Sequence, residues 1–364
     1  MYKGLPPTTY PLQPRSKIFV GLSGGVDSAV SAALLKGHGY DVTGVFIKVW
    51  SPEWLSCPWP DERRDAMRVA AHLQIPFITL DCTDEYKKSV VDYMISEYSA
   101  GKVPNPDVMC NKHVKFDAFL HKAIEMGADY IATGHYAQNI NGKLLAGIDK
   151  NKDQTYFLWT LTQEQLSKTL FPIGHLTKPE VRELAHKFRL PVADKKDSQG
   201  VCFLGMVDMK EFLSHYIELK QGKVLDESGK VIGTHDGALL YTIGERKGFR
   251  INEKTSDDEP YYIVSKNLTS NQITVSHKEC STSDVEQKAI NLRDVNWILG
   301  ETPVFFRTYR ARTRYRQPLQ ECKLEIIDKI AAKIIFREAQ TAITSGQSLV
   351  LYNGNECLGG GIIQ

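Results

Sequence analysis

The string KIFVGLSGGVDSAVSAALLKGHG (17–39) constrains the fold more than any other stretch of the chain. KIFVGL has the length and apolar content of a buried strand, and DSAVSAALLK carries helical spacing up to a Gly-rich stop. Between them, SGGVDS must turn a strand into a helix within a few residues. The pattern then repeats: DVTGVFIKVW (41–50) and PFITLDC (76–82) read as strands, and DERRDAMRVAAHLQI (61–75) as an amphipathic helix. DEYKKSVVDYMISEYSAG (84–101) and VKFDAFLHKAIEMG (114–127) read as helices and ADYIATGHYA (128–137) as a fourth strand. Strands alternating with helices predict an α/β domain with a parallel sheet covered on both faces. Ligands of such sheets sit beyond the C-terminal strand ends, where both GLSGGVDS and TGHYA fall.

Helical character continues through KPEVRELAHKFRL (178–190) and MVDMKEFLSHYIEL (206–219). After residue 220 the text becomes short alternating runs broken by Gly, Asn and Ser. This predicts a small β-rich central domain over 220–284, then a barrel or sandwich over 285–364. The α/β domain is assigned to 17–219, and the proline-containing leader 1–16 reads as a disordered extension without the apolar core of a secretory signal. No apolar run approaches the ~18 residues of a membrane helix. The seven cysteines are scattered, odd in number and without a CxxC pair. That predicts a reduced, cytoplasmic protein with no zinc or iron–sulfur site. A formal charge of +2 gives no global nucleic-acid signature, so any RNA contact must be local.

A phosphate loop of the GxxxxGK[ST] kind uses its lysine on the β- and γ-phosphates, and SGGVDS has none. It still offers the N–H groups of Gly24, Gly25 and Val26 at a helix start, where the dipole favours an anion. Ser23 and Ser28 add hydroxyls, and Asp27 can cap the helix or help hold a metal ion. Such a loop suits the pyrophosphate that departs when the α-phosphate of ATP is attacked; a plain capped turn is the alternative. In GKVPNPDVMCNKHVKF (101–116), Asn105 is a good N-cap and Pro106 fits the first helical position. Asp107 and Cys110 are three apart, hence on one helix face, with Asp107 suited to handling a proton. A capped helix with an inert buried cysteine is equally compatible. Cys202, in DKKDSQGVCFLG (194–205), follows a lysine-bearing polar loop that favours a charged sulfur, although an inert buried cysteine is the commoner case for such a residue.

Taken together, GLSGGVDS, PNPDVMCNKHVKF, ATGHYA, KDQTYFL, DSQGVCF, YTIGERKG, RTRYRQP and CLGGGII resemble, in order and across nearly the whole chain, the bacterial tRNA-specific 2-thiouridylase family of the PP-loop ATP pyrophosphatase superfamily. The resemblance implies a Rossmann-like PP-loop catalytic domain, a central β-rich domain and a C-terminal tRNA-binding β-barrel. It implies ATP as substrate with Mg2+ accompanying it, bound by Gly21, Leu22, Ser23, Gly24, Gly25, Val26, Asp27, Ser28, Ile47 and Gly134. Asn105, Pro106 and Asp107 would surround the target base, while His135, Lys152, Asp153, Gln154, Arg314, Tyr315 and Gln347 would meet tRNA. Sulfur would travel as a persulfide on Cys202, delivered by a sulfur-relay protein or a cysteine desulfurase. Cys110 would release it, leaving a Cys110–Cys202 disulfide. A monomer is expected. SPEWLSCPWP (51–60) is peculiar to this chain and inherits nothing.

RTYRARTRYRQ (307–317) holds five arginines and no acid. As a strand it would present Arg310, Arg312, Arg314 and Arg316 on one face, with Tyr309 and Tyr315 on the other. An RNA-facing strip is expected, with a solvated edge strand as the alternative. GERKG (244–248) is a weaker basic loop.

Overall fold

The computed structural model describes residues 13–55, 59–197, 209–241, 243–253, 259–277, 287–304, 307–341 and 343–364. Cys202 and leader residues 1–12 lie outside these ranges. Residues 13–16 form a turn: the Ser16 N–H donates to the Gln13 carbonyl at 3.0 Å and Ser16 is buried.

Five strands form a parallel sheet in the order β3–β2–β1–β4–β7: β1 (Lys17–Gly21), β2 (Asp41–Lys48), β3 (Phe77–Asp81), β4 (Tyr130–Ala132) and β7 (Thr169–Leu170). On β1, Ile18 and Val20 enter one hydrophobic cluster while Phe19 enters the other, so the strand is covered on both faces. Helices α1 (Val26–Gly37) and α2 (Trp59–Leu73) contribute to the cluster with Ile18 and Val20. The opposite cluster takes side chains from α3 (Thr83–Tyr86), α4 (Tyr93–Ser99), α5 (Pro106–Cys110) and α6 (Phe119–Glu125). π-helical segments, Lys87–Asp92 and Asn111–Ala118, join α3 to α4 and α5 to α6. The sequence pattern foresaw these helices but not their widened turns.

The expected single strand over 128–137 ends at Ala132. Beyond His135 the chain forms a hairpin of β5 (Ala137–Ile140) and β6 (Lys143–Ala146). Helices α7 (Gln163–Ser167), α8 (Lys178–Lys187) and α9 (Met209–Ser214) complete the described helical part. The middle domain is one sheet, β10–β9–β8–β12–β11, built from β8 (Gly222–Leu225), β9 (Val231–His235), β10 (Arg250–Ile251), β11 (Tyr262–Asn267) and β12 (Gln272–Ser276).

The last domain is a barrel. β13 (Gln287–Trp297), β16 (Ala332–Gln340), β15 (Gln320–Ile326), β14 (Tyr309–Arg312), β17 (Ser348–Asn353) and β18 (Glu356–Ile363) pair in that order, and β13 pairs with β18 to close it. Of the two β architectures open from the sequence, the barrel is the one observed. The β5–β6 hairpin adds to β18 through Leu145 opposite Glu356, so the first domain contributes strands to the sheet of the last.

The arginine strip needs correction. β14 stops at Arg312 and is hydrogen-bonded on both sides, to β15 and β17, so it is no edge. Tyr309 and Ala311 point into the barrel core. Arg310 is exposed on the outside, but Arg312 is buried there against the first domain. The chain then turns, with Arg316 at φ +64°, and the four-arginine face is broken after its second member.

Candidate active site

The chain leaves β1 for α1 on one side of the sheet and returns through β4 on the other. The strand order therefore reverses between β1 and β4, which opens a crevice at their C-terminal ends. A cavity of about 540 Å3 lies there. Its floor is the glycine-rich loop: Gly21, Leu22, Ser23, Gly25, Val26, Asp27 and Ser28 all line it, joined by Ile47 at the end of β2 and Gly134 beyond β4. Gly24 has φ +73°, a left-handed conformation suited to glycine, and packs against the Glu62 carbonyl. The loop is held internally: the Ser23 N–H donates to Ser28 Oγ at 3.2 Å and Ser28 Oγ donates to the Gly25 carbonyl at 3.1 Å. Gly134 sits so close to the start of α1 that a Cβ there would lie 2.7 Å from the Ser28 nitrogen.

A lysine distant in sequence reaches the loop. Lys178, the first residue of α8, places Nζ 2.8 and 3.0 Å from the two Asp27 oxygens and 2.9 Å from Asp197 Oδ1. The Tyr136 hydroxyl also donates to Asp27, at 2.9 Å. Burial pushes the Tyr136 phenol up, and the Asp27 charge pushes it further, so the ring stays a proton donor. Asp197 accepts from Lys152 at 2.6 Å and Arg182 at 2.7 Å as well. Burial raises the Asp197 carboxyl, but the bonds from Lys152 and Lys178 outweigh it and hold the group ionised, well below the usual carboxylate range.

The opposite wall brings the barrel in. Asn105 caps α5, accepting from the Val108 N–H at 3.3 Å, with Pro106 at the first helical position, as its sequence predicts. Asp107 faces the cavity, and so do Phe157 and, from the barrel, Tyr315 and Arg316. The Phe157 and Tyr315 rings are 4.7 Å apart. The barrel loop is bolted beside Asn105: Gln347 Nε2 donates to the Val103 carbonyl at 2.9 Å, and the Val103 N–H to the Ser345 carbonyl at 2.9 Å.

Three domain models match this chain: residues 16–206 the tRNA methyl transferase HUP domain, 210–277 the tRNA methyl transferase PRC-barrel domain, and 287–363 the aminomethyltransferase beta-barrel domain. The tRNA-specific 2-thiouridylase MnmA of Streptococcus thermophilus (strain CNRZ 1066) is 45% identical over 363 residues, covering 96% of this chain and 95% of that protein. Its counterpart from Alkaliphilus oremlandii (strain OhILAs) is 44% identical over 354 residues, covering 96% and 97%. The chain belongs to the tRNA-specific 2-thiouridylase family.

Of the ten residues the resemblance assigns to ATP, all but Gly24 line this cavity; of Asn105, Pro106 and Asp107, only Asp107 does, and His135, Lys152 and Gln154 also appear. Others lie apart. Asp153 is buried: its carboxylate accepts from the Gly147 N–H at 3.2 Å, the Thr155 hydroxyl at 2.8 Å and Arg312 at 2.5 Å. It fastens the Lys152–Gln154 loop to the barrel. Gln154 Oε1 turns inward to the Tyr136 N–H at 3.0 Å. His135 is buried between Phe116 and Phe171, with Nδ1 2.8 Å from the Thr133 hydroxyl. Burial, and secondarily the Lys115 charge, drive its pKa well down, so the ring is neutral at pH 7. Arg314 is exposed in the turn after β14.

Cys110 does not share the cavity with Asp107. It is completely buried in the hydrophobic cluster with Val108, Met109 and Val114. Three residues along a helix leave a wide enough angle for one side chain to face the cavity and the other the core. Sequence reasoning missed Lys178, Asp197, Tyr136 and Phe157. The only local signal was the T-x-x-E capping box of α8, Thr177 with Glu180, which marks where Lys178 begins a helix but not what it reaches.

Proposed function

We propose that this protein, a member of a family of tRNA-uridine 2-sulfurtransferases, replaces the C2 oxygen of the wobble uridine with sulfur through an adenylated base. The observation that carries this reading is one cavity lined at once by the lysine-free loop, by Asp107 and by Tyr315 of the barrel. A ligase acting on a small metabolite would need the loop but not the barrel wall. The loop N–H groups bind the phosphates of ATP, which brings Mg2+ as part of the substrate. Uridine, splayed from the single-stranded anticodon loop, enters against Phe157 and Tyr315. Asp107 takes up the proton that the base loses as its C2 oxygen attacks the α-phosphate, and pyrophosphate leaves.

Adenylation turns a very poor leaving oxygen into a good one. The outer sulfur of a Cys202 persulfide then attacks C2, and AMP departs. The Cys110 thiolate attacks the inner sulfur, which breaks the S–S bond, leaves 2-thiouridine and forms a Cys110–Cys202 disulfide. A thiol reductant resets the enzyme, and a sulfur-relay protein or cysteine desulfurase reloads it. Because Cys110 is buried, this step requires the helix to open, and the π-helical segment that begins at Asn111 is a suitable place. The remaining tRNA contacts are assigned to Lys152, Arg314 and the exposed turn, with Asp153, Gln154 and Gln347 holding the surface in position.

The test combines ATP, a persulfide donor and unmodified tRNA. AMP, pyrophosphate and 2-thiouridine should appear together; ADP and phosphate would overturn the reading. With labelled sulfur, Cys110→Ser should still accept reducible label and Cys202→Ser should not. Label retained by Cys202→Ser reverses the two roles.

A further inference from the structure

We infer that Lys178 is the phosphate-binding lysine of this site, acting on the β- and γ-phosphates of the nucleotide and on departing pyrophosphate. The inference rests on the ATP reading above and assigns a residue to it. A phosphate-loop lysine works as a point charge, so its position in the chain matters less than where its ammonium stands. Lys178 Nζ lies within 3.0 Å of the Asp27 carboxylate, inside the glycine-rich loop, although the two residues are 151 positions apart. Its side chain is only 13% exposed and lines the same cavity.

The ammonium is delivered by a rigid element. Thr177 and Glu180 form a capping box at the start of α8, and the Lys178 N–H donates to Asp149 Oδ2 at 2.9 Å. Asp149 also accepts at Oδ1 from the Asn151 N–H at 3.0 Å, so the loop carrying Lys152 is tied to the same helix start. Charge favours an anion here. Lys178, Lys152 and Arg182 meet the two carboxylates of Asp27 and Asp197, three cations against two anions. Since Asp197 is matched by Lys152 and Arg182, Lys178 can transfer part of its bonding from Asp197 to a phosphate without leaving that carboxylate unpaired.

The alternative is that Lys178 is a strut between two carboxylates, and nucleotide selectivity separates the two. Binding of ATP, pyrophosphate and AMP to the full-length protein is measured calorimetrically for the wild type, Lys178→Met and Lys178→Arg, with melting temperature and tRNA binding recorded alongside. Loss of a charge-assisted contact should weaken ATP and pyrophosphate about tenfold or more in Lys178→Met. AMP and tRNA affinity should be unchanged, and pyrophosphate release should slow. Lys178→Arg keeps the charge and should recover part of the ATP affinity, and it answers the question if the methionine variant does not fold. Unchanged ATP affinity, or ATP and AMP weakened together in a folded variant, overturns the inference. A wild-type protein that binds neither ATP nor pyrophosphate overturns the ATP reading itself.

Discussion

Gly134→Ala should cripple adenylation through one methyl group. Its Cβ would stand 2.7 Å from the Ser28 nitrogen, 2.9 Å from the Asp27 carbonyl carbon and 3.1 Å from Ser28 Cα, whereas ordinary contact begins at 3.4 Å. The start of α1 must therefore retreat by about 0.7 Å to restore ordinary contact. The obstructing atoms are backbone, so no side chain can swing aside. Overpacking of this kind costs about 1–3 kcal/mol, a fall of roughly 2–10 °C in melting temperature for a domain of this size. The functional loss should be larger in proportion, because a ~1 Å displacement of a reacting geometry can cost about 100-fold. Asp27 and the loop N–H groups move with α1, so tRNA-dependent pyrophosphate release should fall by some tens of fold. Gly37→Ala, at the other end of α1 with nothing within 4 Å, is the control and should be neutral or slightly stabilising. Calorimetry and pyrophosphate release measured on both variants test the argument. A Gly134→Ala enzyme with wild-type melting temperature and adenylation rate would refute it.

Arg312→Met should leave Asp153 buried without its cation and cost about 3–5 kcal/mol, read by denaturant unfolding, while Arg310→Met on the exposed outer face should change stability little. His135, neutral when folded and with an ordinary pKa near 6.5 when unfolded, binds fewer protons folded than unfolded as pH falls below that value. Stability should therefore decrease on acidification, by up to about 1.4 kcal/mol per pH unit, and His135→Phe should flatten the profile below about pH 6.5. Arg314→Ala should weaken tRNA binding and reduce its salt dependence by about one phosphate contact while leaving ATP affinity intact; an unchanged salt slope removes Arg314 from the interface.

Features that depend on near neighbours in sequence were legible. The strand–loop–helix of 17–37, the Asn105 cap with Pro106 behind it, and the change to β structure after residue 220 follow from local propensity and spacing. What failed depended on distant packing. Nothing in RTYRARTRYRQ shows that β17 covers one side of β14 and β15 the other, or that Asp153 waits for Arg312. Periodicity placed Asp107 and Cys110 on one helix face, but the core around Val108 and Val114 decides that the thiol is covered. The lysine absent from SGGVDS was likewise invisible, because the α1–α8 packing that brings Lys178 to Asp27 joins segments far apart in the chain.

The central claim is that the uridine C2 oxygen attacks ATP and leaves bound to phosphorus. The most direct measurement is a single turnover with tRNA carrying 18O at C2 of the wobble uridine, followed by mass analysis of the products. 2-Thiouridine and AMP should appear in equal amounts, with the heavy oxygen in the AMP phosphate. Unlabelled AMP, or the label in inorganic phosphate or ADP-linked products, would contradict it.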